Sequence, residues 1–284
     1  MAPLTINLQN ATDLTNNGIV VISLTGFTAN TKFGYRTAFV KDITADGKDE
    51  IAANTQETAS QVLVFKGRDL TGVSLITVAL STGGTDNATV VRLAPDSDAS
   101  GNFGSTAISG TEDLDADGIP DIVVTQTTAY AQATQKTITI FRGGYINSRF
   151  GQTIRVLTTA GTGTGTGIIQ NEKGMTISGS FDKAITIGNF DDDPNGTSAD
   201  MAYIIYATTS NRGKVFVRRN VKDPLGSFGF GTLPYESPVL VDPLDPTGLK
   251  FGYFGVVPIG DFNGDGFPDL LVATDGAGYA TILY

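Results

Sequence analysis

Short apolar stretches alternate with polar clusters along the whole chain. Runs rich in Val, Ile, Thr and aromatic residues are bounded by Gly, Asn and Asp, and no segment shows a convincing 3.6-residue helical period. Each of four apolar segments is followed, after a polar turn, by a second alternating segment. The pairs are 50–53 with 62–65, 122–125 with 137–141, 201–207 with 214–218 and 270–274 with 280–283. The pattern predicts an all-β fold.

An acidic motif stands immediately before each of these pairs. We call the four copies loop 1 (42–50), loop 2 (113–121), loop 3 (189–200) and loop 4 (261–269). Successive copies begin about 71 to 76 residues apart, and an aromatic-glycine pair such as Phe33-Gly34 or Phe103-Gly104 often lies upstream. Such regular spacing indicates four structural repeats.

The four repeats predict a single β-propeller of four blades with about 72 residues each. Stretches at 73–80, 153–158 and 237–241 are the expected outer strands of the first three blades. The fourth repeat lacks such a stretch, and we expect the N-terminal strand 4–8 to complete it and close the ring, which removes exposed sheet edges. The expected blades are 11–80, 81–158, 159–242 and 243–284 with 1–10. The alternative is a partial ring completed by a second chain.

The composition narrows the chemistry that the chain can perform. There are 29 acidic and 19 basic residues, a formal charge of −10, and no His, Cys or Trp. Triads that need His or Cys, Cys/His zinc sites and disulfides are excluded. An acidic chain is also a poor partner for a phosphate backbone, so we expect no nucleic-acid binding. Apolar runs are too short to span a bilayer, so we expect no membrane insertion.

The acidic loops have the residue types of a calcium site. In an Asp-x-Asp-x-Asp-Gly loop, oxygens at alternate positions converge while Gly permits a sharp turn, and such an oxygen cage suits Ca²⁺ better than Mg²⁺. The closing acid is at the ninth position, whereas an EF-hand would need Glu at the twelfth, where Val124 and Val272 stand. The predicted ligands of loop 2 are Asp113, Asp115, Asp117, the Ile119 carbonyl and Asp121. Those of loop 4 are Asp261, Asn263, Asp265, the Phe267 carbonyl and Asp269.

Loops 1 and 3 depart from this pattern but supply candidate ligands at the same positions. Those of loop 1 are Asp42, Thr44, Asp46, Lys48 and Glu50. Loop 3 carries a short insertion at 194–195, and its candidates are Asn189, Asp191, Asp193 and Asp200. Up to four Ca²⁺ ions are therefore expected, one in each repeat. We expect the ions to stiffen the loops, because a cage filled by protein oxygens leaves little room for a substrate.

The combination of an aromatic-glycine pair, an Asp-rich loop and an apolar strand resembles the FG-GAP repeats of the integrin α-subunit propeller and of related bacterial calcium-binding propellers. The resemblance covers essentially the whole chain, and loops 2 and 4 match its loop pattern closely. It implies a calcium-binding β-propeller. Rings of the integrin type have seven blades, whereas this chain has material for four.

Every repeated feature is explained by a scaffold, which predicts a binding or structural module without enzymatic activity. Its partners are expected to be further copies of the chain, assembled as a filament, tubule or layer, or a protein or glycan on a cell surface. A carbohydrate-binding lectin is the alternative, and a carboxylate-based enzyme acting on polysaccharides is a third hypothesis. The start has no signal-peptide pattern. The expected location is extracellular or at the cell surface, as a mature form.

Overall fold

A computed structural model describes a little more than half of the chain. The described residues are 12, 14, 19–26, 32–56, 60–79, 87–95, 103–114, 117–126, 137–155, 168–171, 185–188, 190, 200–206, 213–218, 250–275 and 280–283. Within them the chain consists mostly of strands, which confirms the all-β prediction. None of the helices in these residues is long and apolar enough to cross a membrane.

Each repeat contributes three consecutive antiparallel strands, with the acidic loop between the first and the second. The first repeat has β2 (Thr37–Val40), β3 (Glu50–Asn54) and β4 (Val62–Phe65), after β1 (Val21–Thr25) and before β5 (Leu75–Ala79) and β6 (Val90–Ala94). The second has β7 (Phe103–Ser109), β8 (Ile122–Gln126) and β9 (Thr137–Phe141), followed by α1 (Gly143–Asn147), β10 (Thr153–Arg155) and β11 (Ile168–Asn171). A 3₁₀ turn at Asn87–Thr89 precedes β6.

The third and fourth repeats follow the same plan. The third has β12 (Ile185–Gly188), β13 (Asp200–Tyr206) and β14 (Gly213–Arg218), and the fourth has β15 (Lys250–Pro258), β16 (Leu270–Asp275) and β17 (Ala280–Leu283). The register is also shared, because the residue after the closing acid pairs with the end of the third strand in each repeat. These pairs are Ile51 with Phe65, Ile122 with Phe141, Met201 with Arg218 and Leu270 with Leu283. The strand pairs that flank the loops are thus confirmed.

The strands that follow these meanders pair differently from the expected outer strands. The segment at 73–80 contains β5, but β5 pairs in parallel with β1 as a separate two-stranded ribbon. The segment at 153–158 contains β10, which pairs in parallel with β6 in the sheet of the first repeat. That sheet has the order β10-β6-β4-β3-β2, whereas the second repeat forms β11-β9-β8-β7. The segments 4–8 and 237–241 lie outside the described residues.

Neighbouring repeats pack on each other through their sheets. β2 and β3 contact β7, β7 and β8 contact β12, and all three strands of the third repeat contact β15. One apolar cluster joins the first two repeats and contains Val40, Ile122 and Phe141. Another joins the third and fourth repeats through Val215, Val256 and Leu270. The sheets thus stack in chain order, while closure into a four-bladed ring stays a prediction.

Candidate functional site

The first acid of each fully or largely described loop binds the loop's own backbone. One carboxylate oxygen accepts the N–H of the fifth residue and the other accepts the N–H of the sixth. The distances are 3.2 and 2.6 Å at Asp42, 3.2 and 2.7 Å at Asp113, and 3.0 and 2.9 Å at Asp261. The loop is therefore wound around its first side chain, as in an Asx-type turn.

The sixth residue is a glycine for a conformational reason. Gly47, Gly118 and Gly266 have φ angles of 81°, 89° and 96°, a region that residues with a Cβ rarely adopt. The left-handed turn carries the chain over the first acid and directs the N–H of the glycine at its carboxylate. The preference for Gly at the sixth position of the loop is thus explained by the backbone conformation required there.

The acid at the fifth position makes the next contact in the same three loops. Its carboxylate accepts the N–H two residues later, at 3.1 Å from Lys48 to Asp46, 2.9 Å from Ile119 to Asp117 and 2.9 Å from Phe267 to Asp265. In loop 4 the side-chain amide of Asn263 also donates to Asp265 at 2.8 Å. These two donors lower the pKa of Asp265, the Asn263 amide contributing most.

The closing acid is buried in all four repeats and bonds to the second residue of its loop. Glu50, Asp121, Asp200 and Asp269 are at most 2% exposed. They accept backbone N–H groups from Ile43 at 2.8 Å, Leu114 at 2.8 Å, Phe190 at 2.7 Å and Phe262 at 2.6 Å. A buried carboxylate needs such donors, because an unpaired one is costly. This bond ties the entrance of each loop to its exit.

The closing acid of loop 2 also reaches the element that follows the third strand. Its second oxygen accepts the N–H of Gly143, the first residue of α1, at 3.1 Å. A Cβ at Gly143 would overlap the carbonyl oxygen of Pro120, and a Cβ at Gly67 would lie 2.6 Å from that of Asp49. Gly67 and Gly143 therefore occupy equivalent places, each packed on the residue before a closing acid. The signal was present in the sequence as the repeated Phe-basic-Gly triplets Phe65 to Gly67 and Phe141 to Gly143.

Loop 1 has internal partners for its acids. Thr44 donates its hydroxyl to Oε1 of Glu50 at 3.2 Å, and Nζ of Lys66 lies 3.6 Å from Oδ2 of Asp46. Burial raises the pKa of Glu50, and its hydrogen bonds oppose the rise only in part. At Asp42, burial is outweighed by four backbone N–H donors, so the pKa is lowered. A lysine ammonium thus lies beside the acid at the fifth position of loop 1, and a Thr hydroxyl stands at the third position, where loop 4 has an amide oxygen.

Loop 4 has the donor set that a hard cation needs. The side chains of Asp261, Asn263 and Asp265 are exposed and present carboxylate and amide oxygens, while Asp269 is buried beside them. Oxygen donors of this kind fit Ca²⁺. Among the described residues, no three acidic side chains form a group that could hold a metal ion. The carboxylate of Asp261 accepts backbone N–H groups instead. Binding would require these side chains to reorient toward an ion.

Several predicted ligands lie outside the described residues. These are Asp115 of loop 2 and Asn189, Asp191 and Asp193 of loop 3. For loop 3 the structure describes Phe190 and Asp200, which make the entrance-to-exit bond. The remaining predicted ligands of loops 2 and 4 are described. They include Ile119 and Phe267, whose carbonyls are predicted to bind, and the two loops share one hydrogen-bonding pattern. The calcium ligand sets therefore stay predictions.

A comparison with known protein families finds a match in the fourth repeat. Residues 255–284 match the family model of the FG-GAP repeat. The match begins within β15, spans loop 4 and includes β16 and β17. No curated protein shows significant similarity to the chain.

Proposed function

Because residues 255–284 are an FG-GAP repeat, a type found in β-propeller binding modules, we propose that the chain is a calcium-stabilised β-propeller module that binds partners without catalysing a reaction. The observation that carries the proposal is the shared loop architecture. Three loops wind around their first acid with a glycine in the same left-handed conformation, and all four buried closing acids make the same bond. Repetition of this geometry supports one role for all the loops, namely to hold each strand pair in place.

Calcium is proposed for loops 2 and 4. Both carry acids at the first, fifth and ninth positions of the loop, and an acid or amide oxygen, Asp115 or Asn263, at the third position, where loop 1 has Thr44. When bound, Ca²⁺ would supply a positive charge that draws the loop oxygens together. Asp113, Asp117 and Asp121 would hold it in loop 2, and Asp261, Asn263, Asp265 and Asp269 in loop 4.

The exposure of these loops favours a location outside the cell or on its surface. Asp261, Asn263 and Asp265 are exposed and engaged with backbone donors, so an ion must compete with solvent and with those hydrogen bonds. Sites of this kind are weak, and extracellular calcium modules bind in the range of about 10⁻⁴ to 10⁻³ M. An extracellular location would keep such sites filled.

The burial of Glu50 also supports a structural role over a catalytic one. The pKa of Glu50 is raised, as a general acid requires, but the side chain is fully buried and bonded to Ile43 and Thr44. Its carboxyl group therefore closes a loop and is inaccessible to a polysaccharide. We further propose that the module associates with copies of itself.

Thermal unfolding in Ca²⁺, in Mg²⁺ and in EGTA tests the calcium proposal. A ligand that binds only the folded state raises the melting temperature, by an amount that grows with its concentration above the dissociation constant. We expect a rise of several degrees in millimolar Ca²⁺ and a smaller one in Mg²⁺. Equal melting temperatures in all three solutions would refute the calcium proposal.

A further inference from the structure

Loop 4 contains an exposed Asn-Gly pair at its third and fourth positions, Asn263 and Gly264. In such a pair the backbone nitrogen of the glycine can attack the side-chain carbonyl carbon of the asparagine, because glycine has no Cβ to hinder the approach. The pair therefore holds a nucleophile and an acyl group next to each other. The hydrogen bonds around these two residues decide whether the loop favours the reaction.

The amide side chain of Asn263 is held in a turn that contains the attacking nitrogen. Its Oδ1 accepts the N–H of Asp265 at 2.9 Å, which closes an Asx-turn over the peptide bond between Asn263 and Gly264. The amide nitrogen, Nδ2, donates to Oδ2 of Asp265 at 2.8 Å. Attack on the carbonyl carbon places negative charge on Oδ1, and a donor already aimed at that oxygen stabilises the charge. The turn thus fixes the side chain and polarises its carbonyl group.

The N–H of Gly264 has a proton acceptor in the same loop. It donates to Oδ1 of Asp261 at 2.6 Å. A carboxylate in hydrogen-bond contact with an attacking group can take its proton as a general base. The φ angle of Gly264 is 84°, and a Cβ built at this glycine would have no atom of the described residues within 4 Å. The space beside the glycine is therefore open to solvent water, which the second step of the reaction needs.

We infer that Asn263 is a site of spontaneous deamidation in the folded chain. The nitrogen of Gly264 forms a bond to Cγ of Asn263, the bond from Cγ to Nδ2 breaks, and a five-membered succinimide remains. The proton of the Gly264 N–H passes by way of Asp261 and solvent to the departing nitrogen, which leaves as ammonia. Water then opens the ring. Cleavage between Cγ and the ring nitrogen gives aspartate, and cleavage between the backbone carbonyl carbon and that nitrogen gives an isoaspartyl linkage.

Deamidation to aspartate would give loop 4 the acids of loop 2. Loop 2 has Asp115 at the third position, where loop 4 has Asn263. The change adds a charged oxygen donor, and the affinity of calcium loops depends on the number of charged ligands. A bound Ca²⁺ that holds Oδ1 of Asn263 would in turn protect the amide from attack. These consequences for calcium rest on the proposed function, whereas the modification itself does not.

Mass spectrometry of tryptic peptides measures the reaction at this site alone. The segment 251–284 follows Lys250, contains no Lys or Arg, and has Asn263 as its only Asn or Gln. A mass gain equal to the exchange of NH₂ for OH in this peptide therefore reports deamidation of Asn263. We expect the gain to accumulate when the folded chain is kept for several weeks in EGTA at neutral pH. An unchanged peptide mass in a sample that keeps its melting temperature would overturn the inference.

Gly264→Ala is the matched control. Loop 1 has Ala45 at the same position with a φ angle of 57°, so the turn accepts alanine. The added Cβ should slow the reaction at least about tenfold, because it hinders approach of the backbone nitrogen to Cγ. A melting temperature close to that of the wild type would show that the variant is folded. Equal rates of mass gain in the two folded proteins would overturn the inference.

The same incubation in millimolar Ca²⁺ separates the modification from the calcium proposal. We expect slower deamidation in Ca²⁺ than in EGTA. Asn263→Asp reproduces the aspartate product, and its loop 4 should bind Ca²⁺ at least about threefold more tightly than that of the wild type in isothermal titration, because it has one more charged ligand. Deamidation at the same rate in both solutions, with the same calcium binding in both proteins, would contradict calcium in loop 4 and would confirm the modification site.

Discussion

The carboxylate of Asp121 accepts the backbone N–H of Leu114 at 2.8 Å, and both residues are fully buried. The same carboxylate accepts the N–H of Gly143, so one side chain joins the entrance of loop 2, its exit and the start of α1. The corresponding acid in each other repeat makes the same entrance-to-exit bond. The closing acid is thus a structural part of every repeat.

Asp121→Ala should destabilise the fold by about 2–4 kcal/mol, because it leaves two buried N–H groups without an acceptor. Urea unfolding in EGTA measures the effect without any contribution from metal. Asp117→Ala is the control, since that exposed acid should cost less than about 1 kcal/mol under the same conditions. Equal losses for the two variants would contradict the structural role of the closing acid.

Gly143→Ala should be strongly destabilising, by about 3 kcal/mol or more, because the new Cβ would overlap the carbonyl oxygen of Pro120. The neighbouring Gly144→Ala is a matched control. Its Cβ would lie 3.2 Å from the flexible end of Ile119, and alanine favours the helical conformation of α1, so the change should stay within about 1 kcal/mol. Denaturant unfolding of both variants provides the comparison. A tolerated alanine at 143 would mean that α1 does not pack closely on loop 2.

Glu50→Gln should change how stability depends on pH. Burial raises the pKa of Glu50 in the folded chain above its ordinary value of 4.5. Its stabilising contribution is therefore full below the pKa of the unfolded chain and is lost as pH rises through the folded-state pKa. The free energy of unfolding of the wild type, minus that of Glu50→Gln, should therefore fall between pH 4 and neutral pH. Urea titrations of both proteins in EGTA measure this difference. A difference that is constant or grows in favour of the wild type would contradict the raised pKa.

The strands that flank each loop were predictable from the sequence because apolar runs of four to seven residues stand at fixed distances from the acids. The pairing of β5 with β1 and of β10 with β6 was not, because parallel pairing depends on which segments meet in space. The burial of Glu50 and Asp269 was also not predictable from the sequence. Spacing places an acid at the closing position but does not tell whether its oxygens face an ion or a backbone N–H.

Lys66 shows a further limit of sequence reasoning about loop 1. Its ammonium group lies 3.6 Å from Asp46, although the two residues are 20 positions apart and only the pairing of β3 with β4 brings them together. Thr44 and Glu50 replace aspartates of the loop pattern, and the structure bonds them to each other. The sequence alone predicts loop 1 as a fourth calcium site, whereas these contacts favour a loop that holds its shape without an ion.

Isothermal titration of the full chain with Ca²⁺ tests the proposed division of the loops most directly. Asp117→Asn in loop 2 and Asp265→Asn in loop 4 should each remove about one bound ion per chain, because each loses a charged oxygen donor. Asp46→Asn, the same change at the same position of loop 1, should leave the number of bound ions unchanged. Absence of calcium binding in the wild type, or loss of an ion from Asp46→Asn with none lost from Asp265→Asn, would contradict the account.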